Sequence, residues 1–269
     1  MCDCEPTRRD VLAMMAMAGA CAITGGEAAA ARAPAGPSAR PSAVGPAVPA
    51  IEVLPGLSIY PRDAWGADLP PKKKTEREVV QFLLVHHTAS SNNYASARDV
   101  IRNTYRWQTS ATKGWRDVCY QFFVGRDGDV WEGRAGALAG PVRADATGGS
   151  QGFAQLVCLL GNFTDRQPTA AAQDALVKVL AWLADRYSID TSPGATTQFT
   201  SQGSDRWKAG TLVTSPTIAG HRDMTYTACP GDEFYPTVAD LHTRVNAQRQ
   251  AWSSVIKPAV RLGLAPGSG

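Results

Sequence analysis

Three residues that lie far apart along the chain carry side chains suited to a transition metal: His86, His221 and Cys229. Zn²⁺ accepts imidazole nitrogen and thiolate sulfur at about 2.0–2.3 Å in a tetrahedral arrangement. The sequence contains no Cys-x-x-Cys pair of the kind that builds closed structural zinc sites. Three protein ligands leave the fourth corner for water, which is the arrangement of catalytic zinc. A packing role for each residue is the alternative.

The segment 79–85 must position the first of these residues. It is a short apolar run rich in β-branched side chains, which predicts a buried strand ending beside His86. Side chains alternate along a strand, so His87 is predicted to face away from His86 and to be packed or hydrogen-bonded. His242, the remaining histidine, falls on the last predicted helix and is expected to be exposed.

Strands and helices alternate over the rest of the chain, which predicts an α/β fold with a central mixed sheet flanked by helices. The segment 190–215 is rich in Ser, Thr and Gly and is expected to form a long loop or short irregular strands. Further strands are predicted at 120–124, 130–132, 156–160 and 217–219, and helices are predicted to begin after Ser96 and at Pro168 and Pro236.

The N-terminal region is predicted to be a targeting segment. Residues 1–33 combine Arg8-Arg9 with an apolar stretch and Ala-rich sequence, which indicates a secretory signal of the twin-arginine type. Cys21 offers a lipid anchor, but its surroundings match a lipoprotein box poorly. Export places the protein outside the cell or in the envelope. The predicted boundaries are 1–33 for the signal peptide, 34–56 for a Pro/Ala-rich linker, 57–250 for the domain and 251–269 for a C-terminal tail.

Composition excludes several classes of protein. The chain has 269 residues, of which 44% are hydrophobic and 19% charged, so it is not disordered over its whole length. A net charge of +3 excludes a nucleic-acid binder that works by charge alone. No apolar run reaches the roughly 18–20 residues of a transmembrane helix. A monomer is the expected state.

Four segments share a pattern with one enzyme family: LLVHHTAS, DVCYQFFVGRDGDVWEGR, LVCLLGNFTD and TIAGHRDMTYTACPGDEFY. In this order, over about residues 58–245, they resemble the zinc N-acetylmuramoyl-L-alanine amidases of the peptidoglycan recognition protein type. The resemblance implies that family's fold, a Zn²⁺ cofactor, and a peptidoglycan or muropeptide substrate. The reaction it implies is hydrolysis of the amide between N-acetylmuramic acid and L-alanine.

The resemblance also implies roles for individual residues. It makes His86, His221 and Cys229 the metal ligands, and Tyr120 and Thr227 the catalytic residues. Cys229 matters most, because family members that lack this cysteine bind peptidoglycan without cutting it. The alternative function is therefore a recognition module that binds muropeptides without turnover.

Several points stay open at the level of sequence. Asp223 and Glu132 are candidates for a general base, with a salt bridge or a turn cap as the other interpretation. Cys119 and Cys158 form either a disulfide, as an exported protein permits, or two buried thiols. Arg134 is a candidate contact for a stem-peptide carboxylate. The sequence does not predict the preferred stem peptide or the physiological role.

Overall fold

The computed structural model describes residues 48–261, with side chains described through residue 254. The predicted signal peptide, Cys21 and residues 34–47 of the predicted linker lie outside the described residues. So do residues 262–269 of the predicted tail.

Within residues 48–261, nine strands form one large and one small sheet. The large sheet has the order β1-β2-β5-β4-β6-β3-β9, and the small one pairs β7 with β8. Within the large sheet, β4, β6, β3 and β9 are mutually parallel, whereas β5 runs antiparallel to β4. The strands are β1 (Ile51–Leu54), β2 (Leu57–Tyr60), β3 (Phe82–His87), β4 (Phe122–Val124), β5 (Val130–Glu132), β6 (Ala154–Leu159), β7 (Thr196–Thr200), β8 (Leu212–Pro216) and β9 (Ile218–Gly220).

Helices cover both faces of the large sheet. The α-helices are α1 (Asp63–Gly66), α2 (Ala97–Gln108), α3 (Ala170–Tyr187) and α4 (Leu241–Arg261), and 3₁₀ turns span His221–Asp223 and Tyr235–Thr237. One core cluster joins α3 and α4 to one face, and a second joins α2 to the other. The predicted fold class, a mixed sheet flanked by helices, is confirmed.

The strand β3 is buried along its whole length. It lies between β6 and β9, so its backbone is paired on both sides. Leu83 and Val85 belong to the cluster that contains α3 and α4, while Phe82 and Leu84 belong to the cluster on the α2 face. Burial of both faces explains why this strand is continuously apolar.

The helix starts follow ordinary capping chemistry. Ser96 precedes α2, and its hydroxyl accepts the Asp99 N–H at 3.2 Å, as the capping pattern predicted. Thr169 precedes α3 and accepts the Ala172 N–H at 3.1 Å. The final α-helix begins at Leu241 rather than at Pro236, because the chain first makes a 3₁₀ turn there.

Two boundaries differ from the sequence prediction. The segment assigned to the end of the linker contains β1, which pairs antiparallel with β2 and so belongs to the sheet. The helix α4 continues past residue 250, where the tail was expected to begin. For the segment 190–215 the sequence predicted either a long loop or short irregular strands. It contains the hairpin of β7 and β8, whose Phe199 and Val213 belong to the core.

His242 is buried, so the expectation that it is exposed is wrong. Its Nδ1 lies 3.0 Å from the Ser192 carbonyl oxygen, and its Nε2 accepts the Ile218 N–H at 3.1 Å. The imidazole thus supplies hydrogen bonds between α4, β9 and the segment before β7. These partners are distant in sequence, so the helical pattern around residue 242 did not reveal them.

Glu78 is a buried residue with a carboxyl side chain, four residues before the start of β3. Its Oε1 accepts hydrogen bonds from Gln155 at 2.6 Å and from Gln121 at 3.4 Å. Burial raises the pKa of Glu78 to about 8, although the Gln155 hydrogen bond and the charge of Arg134 oppose that shift. The folded protein therefore holds a proton that the unfolded chain releases near pH 4.5.

Because only the folded protein holds this proton at neutral pH, the free energy of unfolding falls as pH rises. A raised carboxyl pKa stabilises the fold fully below the unfolded value, and that contribution is lost as pH rises toward about 8. Glu78→Gln removes the titratable carboxyl and with it this loss of stability. We therefore expect the free energy of unfolding of the variant to exceed that of the parent by about 2–3 kcal/mol at pH 7 and by almost nothing at pH 4. Urea unfolding between pH 4 and 9 measures the gain, with Glu233→Gln at an exposed position as control. An equal gain at every pH would contradict the assignment.

Candidate metal centre

The three predicted ligands meet at one point. The ligand atoms of His86, His221 and Cys229 all lie within 4.8 Å of one another, and the three residues are buried. The Nδ1 of His86 lies 3.6 Å from the Cys229 sulfur. Ligand atoms on a tetrahedral zinc-sized ion are about 3.3–3.8 Å apart, as the bond lengths require. The donor spacing therefore suits one small divalent cation.

Strand register brings the two histidines together. Val85 of β3 is opposite Gly220 of β9, and each strand is followed by its histidine at the same edge of the sheet. The centroids of the His86 and His221 rings are 4.3 Å apart. Carboxyl ends of parallel strands collect functional groups in α/β folds, and this site follows that rule.

The electrostatics of His86 suit a metal ligand. Burial lowers its pKa well below the ordinary value, and the neighbouring His221 adds to that shift. Its Nε2 is a buried nitrogen that has no hydrogen-bond partner among the described residues. A neutral imidazole keeps the lone pair that a metal requires, so this environment favours ligation over protonation.

The Cys229 sulfur is placed by backbone contacts. The His87 N–H points at Sγ at 3.4 Å, a contact that favours the thiolate. Gly231, two residues later, has a φ of +109°, and a Cβ there would lie 2.3 Å from the Phe163 backbone. The close approach of these two backbone segments therefore requires glycine in the Cys-Pro-Gly turn.

Arg222 ties one ligand segment to the other. Its backbone N–H donates to the Cys229 carbonyl at 3.1 Å, and its guanidinium donates to the Ala228 carbonyl and, at 2.8 Å, to Asp232. The guanidinium also lies 4.5 Å from the centroid of the Tyr235 ring. Arg222 directly follows His221, so these bonds fix the Cys229 turn relative to that histidine.

Sequence reasoning missed this role of Arg222. The residue is visible in the segment Gly220-His221-Arg222-Asp223, but no pattern indicates that its side chain turns back to the carbonyls near Cys229. An arginine beside a predicted ligand was the available signal.

The two predicted catalytic residues lie close to the ligands. Tyr120 is buried, and its ring centroid is 5.2 Å from that of His86. Thr227 is half-buried, and its hydroxyl accepts the Cys229 N–H at 3.2 Å. Both residues therefore adjoin the cluster, one through its ring and the other through the turn that carries the sulfur.

The two acidic candidates for a general base have structural partners. Asp223 accepts the Gly220 N–H at 2.8 Å and the Tyr235 hydroxyl. Glu132 accepts the backbone N–H groups of Arg62 and Leu138, each at 3.0 Å. Both carboxylates thus act as caps, which was the other interpretation.

Other candidates are also engaged within the fold. Arg134 is fully buried and donates to the carbonyls of Val118 and Arg143 and to Asp145, so it does not face a stem peptide. Cys119 and Cys158 are buried free thiols rather than a disulfide. His87 is buried and its Nδ1 accepts the Phe163 N–H at 3.3 Å, as its packed role predicted.

The contacts of Arg222 yield a test of metal binding. Arg222→Ala removes the bonds that hold the Cys229 turn, so we expect affinity for Co²⁺, used as a probe, to fall about 10–100-fold. Titration of the cysteine-to-cobalt absorption band measures affinity without enzyme turnover. Arg98→Ala, which loses only one exposed contact to the Ala64 carbonyl, is the matched control. Equal affinity in the two variants would contradict a positioning role for Arg222.

Comparison with known proteins identifies the family. The family model described as N-acetylmuramoyl-L-alanine amidase matches residues 76–232. Peptidoglycan recognition protein 1 of Bos indicus is 31% identical over 187 residues, covering 67% of this chain and 82% of that protein. N-acetylmuramoyl-L-alanine amidase of Homo sapiens is 32% identical over 184 residues, covering 66% of this chain and 27% of that protein.

Solved structures share the fold. The bumblebee recognition protein PGRP-SA has a TM-score of 0.52 and 18% identity, covering 68% of this chain and 93% of its own. The recognition protein PGRP-SD of Drosophila has a TM-score of 0.51 and 21% identity, covering 68% and 93%. With its family match over residues 76–232 and its 31% identity to a peptidoglycan recognition protein over 187 residues, this chain belongs to the type 2 N-acetylmuramoyl-L-alanine amidase and peptidoglycan recognition protein family.

Proposed function

We propose that this protein is an exported zinc amidase that hydrolyses the bond between N-acetylmuramic acid and L-alanine in peptidoglycan. The observation that carries the proposal is the convergence of His86, His221 and Cys229 within 4.8 Å. Two imidazoles and a thiolate match the preference of Zn²⁺ for nitrogen and sulfur ligands. When bound, zinc lowers the pKa of a coordinated water and polarises the carbonyl of the amide.

The surrounding residues prepare the ligands for this chemistry. Burial keeps His86 neutral, because a charged imidazole would lose its hydration there. The His87 N–H favours the thiolate form of Cys229. Arg222 restrains the turn, so the three donors stay in place while a substrate enters and leaves.

Tyr120 is the proposed donor to the carbonyl oxygen. Hydrolysis of an amide places negative charge on that oxygen in the transition state, and a fixed O–H donor stabilises the charge. Tyr120 suits this role because its ring is buried beside the His86 ring. Thr227 is proposed to orient the attacking water or the same oxygen, since its hydroxyl is held by the Cys229 N–H.

A recognition module without turnover is the second candidate. A sequence relative from Bos indicus and a structural neighbour from Drosophila both carry the name peptidoglycan recognition protein, which favours this alternative. The complete ligand set supports the hydrolase instead, because binding a muropeptide does not require a buried His-His-Cys cluster. Peptidoglycan is the ligand in either case.

Export and a monomeric state complete the proposal. The twin-arginine signal, the cleavage near residue 33 and the less favoured lipid anchor at Cys21 rest on the sequence alone. Within the described residues, no helix has both the length and the apolar character needed to cross a bilayer.

Removal of the sulfur ligand tests the metal site. We expect Cys229→Ala to lose bound zinc and amidase activity together, because two imidazoles alone hold zinc weakly. Metal analysis of the purified protein and turnover of a muropeptide are measured side by side. Cys158→Ala is the matched control, since it removes a buried thiol from the strand next to β3. Full zinc content in Cys229→Ala would overturn the ligand assignment.

Removal of one hydroxyl tests the oxyanion role. We expect Tyr120→Phe to keep its zinc while kcat falls about 10²–10³-fold, the usual effect of losing one donor to the transition state. Zinc content and kcat are the measurements. Tyr94→Phe is the control, because it also removes a tyrosine hydroxyl, here one that accepts the Arg126 N–H. An active Tyr120→Phe enzyme would exclude this role.

The reaction product separates the candidate functions. Mass spectrometry of a digested muropeptide should show a free L-alanine amine and an intact muramic acid. Cleavage at another amide would indicate a different hydrolase. Tight muropeptide binding by a zinc-loaded protein that releases no product would establish the recognition module.

A further inference from the structure

Tyr226 is an exposed aromatic residue beside the metal centre. Its side chain is 73% exposed, and it is the one aromatic among the large hydrophobic side chains that are exposed in the described residues. It directly precedes Thr227 and lies three residues before Cys229. Three residues span at most about 10 Å, so the Cα of Tyr226 is within that distance of the Cα of the sulfur ligand.

The backbone that displays this ring is held by Asp205. The Asp205 carboxylate accepts the Tyr226 N–H at 3.0 Å and also accepts the Thr225 hydroxyl. The Thr225 hydrogen bond, more than any other contact, lowers the pKa of Asp205, so the carboxylate is charged at neutral pH. The peptide that carries the exposed ring is therefore anchored by a charge-assisted bond.

Two more side chains of the same loop hold the preceding residues. The Ser204 hydroxyl donates to the Met224 carbonyl at 2.9 Å, and the Trp207 indole donates to the Asp223 carbonyl at 3.2 Å. The loop at 204–207 is thus hydrogen-bonded to the segment between His221 and Cys229. A ring displayed on a braced segment loses little conformational entropy when a ligand covers it.

The charged groups near Tyr226 are engaged within the fold. Its sequence neighbours Thr225, Thr227 and Ala228 carry no charge, and the Asp205 carboxylate already accepts the Tyr226 N–H and the Thr225 hydroxyl. The guanidinium of Arg206, in the loop at 204–207, donates to the Arg222 carbonyl and lies 5.4 Å from the Trp207 ring centroid. A tyrosine offers a flat apolar face and one polar tip, which suits a sugar ring with an axial C–H face and hydroxyl groups at its edge.

We propose that Tyr226 is a saccharide-contacting residue, on which the pyranose ring next to the scissile amide stacks. This proposal rests on the proposed function, because it takes the substrate from there. The scissile amide has a sugar on one side and a peptide ending in carboxylates on the other. The neutral ring of Tyr226 matches the sugar side, and Tyr226 directly precedes Thr227, the residue proposed to orient the attacking water or the carbonyl oxygen.

Paired substrates test the contact. One probe is a disaccharide-bearing muropeptide, and the other is the matching N-lactoyl peptide without the sugar. We expect Tyr226→Ala to raise KM for the muropeptide about tenfold with kcat little changed, and to leave KM for the N-lactoyl peptide unaltered. Tyr226→Phe keeps the stacking face and should stay within about threefold of the parent.

The control is Leu212→Ala, which removes an exposed hydrophobic side chain from β8. An unchanged KM in Tyr226→Ala, or an equal rise for both probes, would overturn the saccharide contact. Calorimetric binding of the muropeptide to the parent and to Tyr226→Ala decides the same point without turnover. If the parent binds but cleaves neither probe, the amidase proposal fails, while the calorimetric comparison still decides the role of Tyr226.

Discussion

The hydrogen-bonded register between β3 and β9 is the constraint on which the candidate metal centre depends. It sets Val85 opposite Gly220 and so brings His86 and His221 to the same edge of the sheet. A slip of one residue would send His86 to the opposite face, because strand side chains alternate. The register is strongly determined, since β3 is paired on both sides and buried on both faces. A rigid core strand therefore serves as the base of the site.

The third candidate ligand needs a different means of support. Cys229 lies on a turn outside the sheet, where apolar packing alone does not define a backbone conformation. Polar side chains provide this support. Arg222 donates hydrogen bonds to the Ala228 carbonyl and to Asp232, on either side of Cys229, and Asp205 accepts the N–H of Tyr226 in the segment before it. Irregular backbone is thus held by specific hydrogen bonds, which restrain the turn that carries Cys229.

Burial has opposite consequences at the two ends of the sheet. It lowers the pKa of His86 and raises that of Glu78, because in both cases the low-polarity interior disfavours the charged form. At the candidate metal centre the neutral form of His86 is the one suited to binding a metal, since a ligand must offer a lone pair. At Glu78 the same effect costs stability near neutral pH, and the hydrogen bond from Gln155 offsets only part of it.

The amino-acid sequence by itself determined the donor set, the main strands and helices, and the order of the motifs. These features are local: the apolar run before His86, the Ser96 cap and the stripe on α3 each appear within one element. Tertiary structure decided what depends on distant partners. It placed His242 in the core through Ser192 and Ile218, paired β1 with β2, and turned the Arg222 side chain back to the carbonyls of Ala228 and Cys229. The burial and hydrogen bonds of a side chain depend on which distant segments fold against it. The periodicity within one helix or strand does not indicate which segments those are.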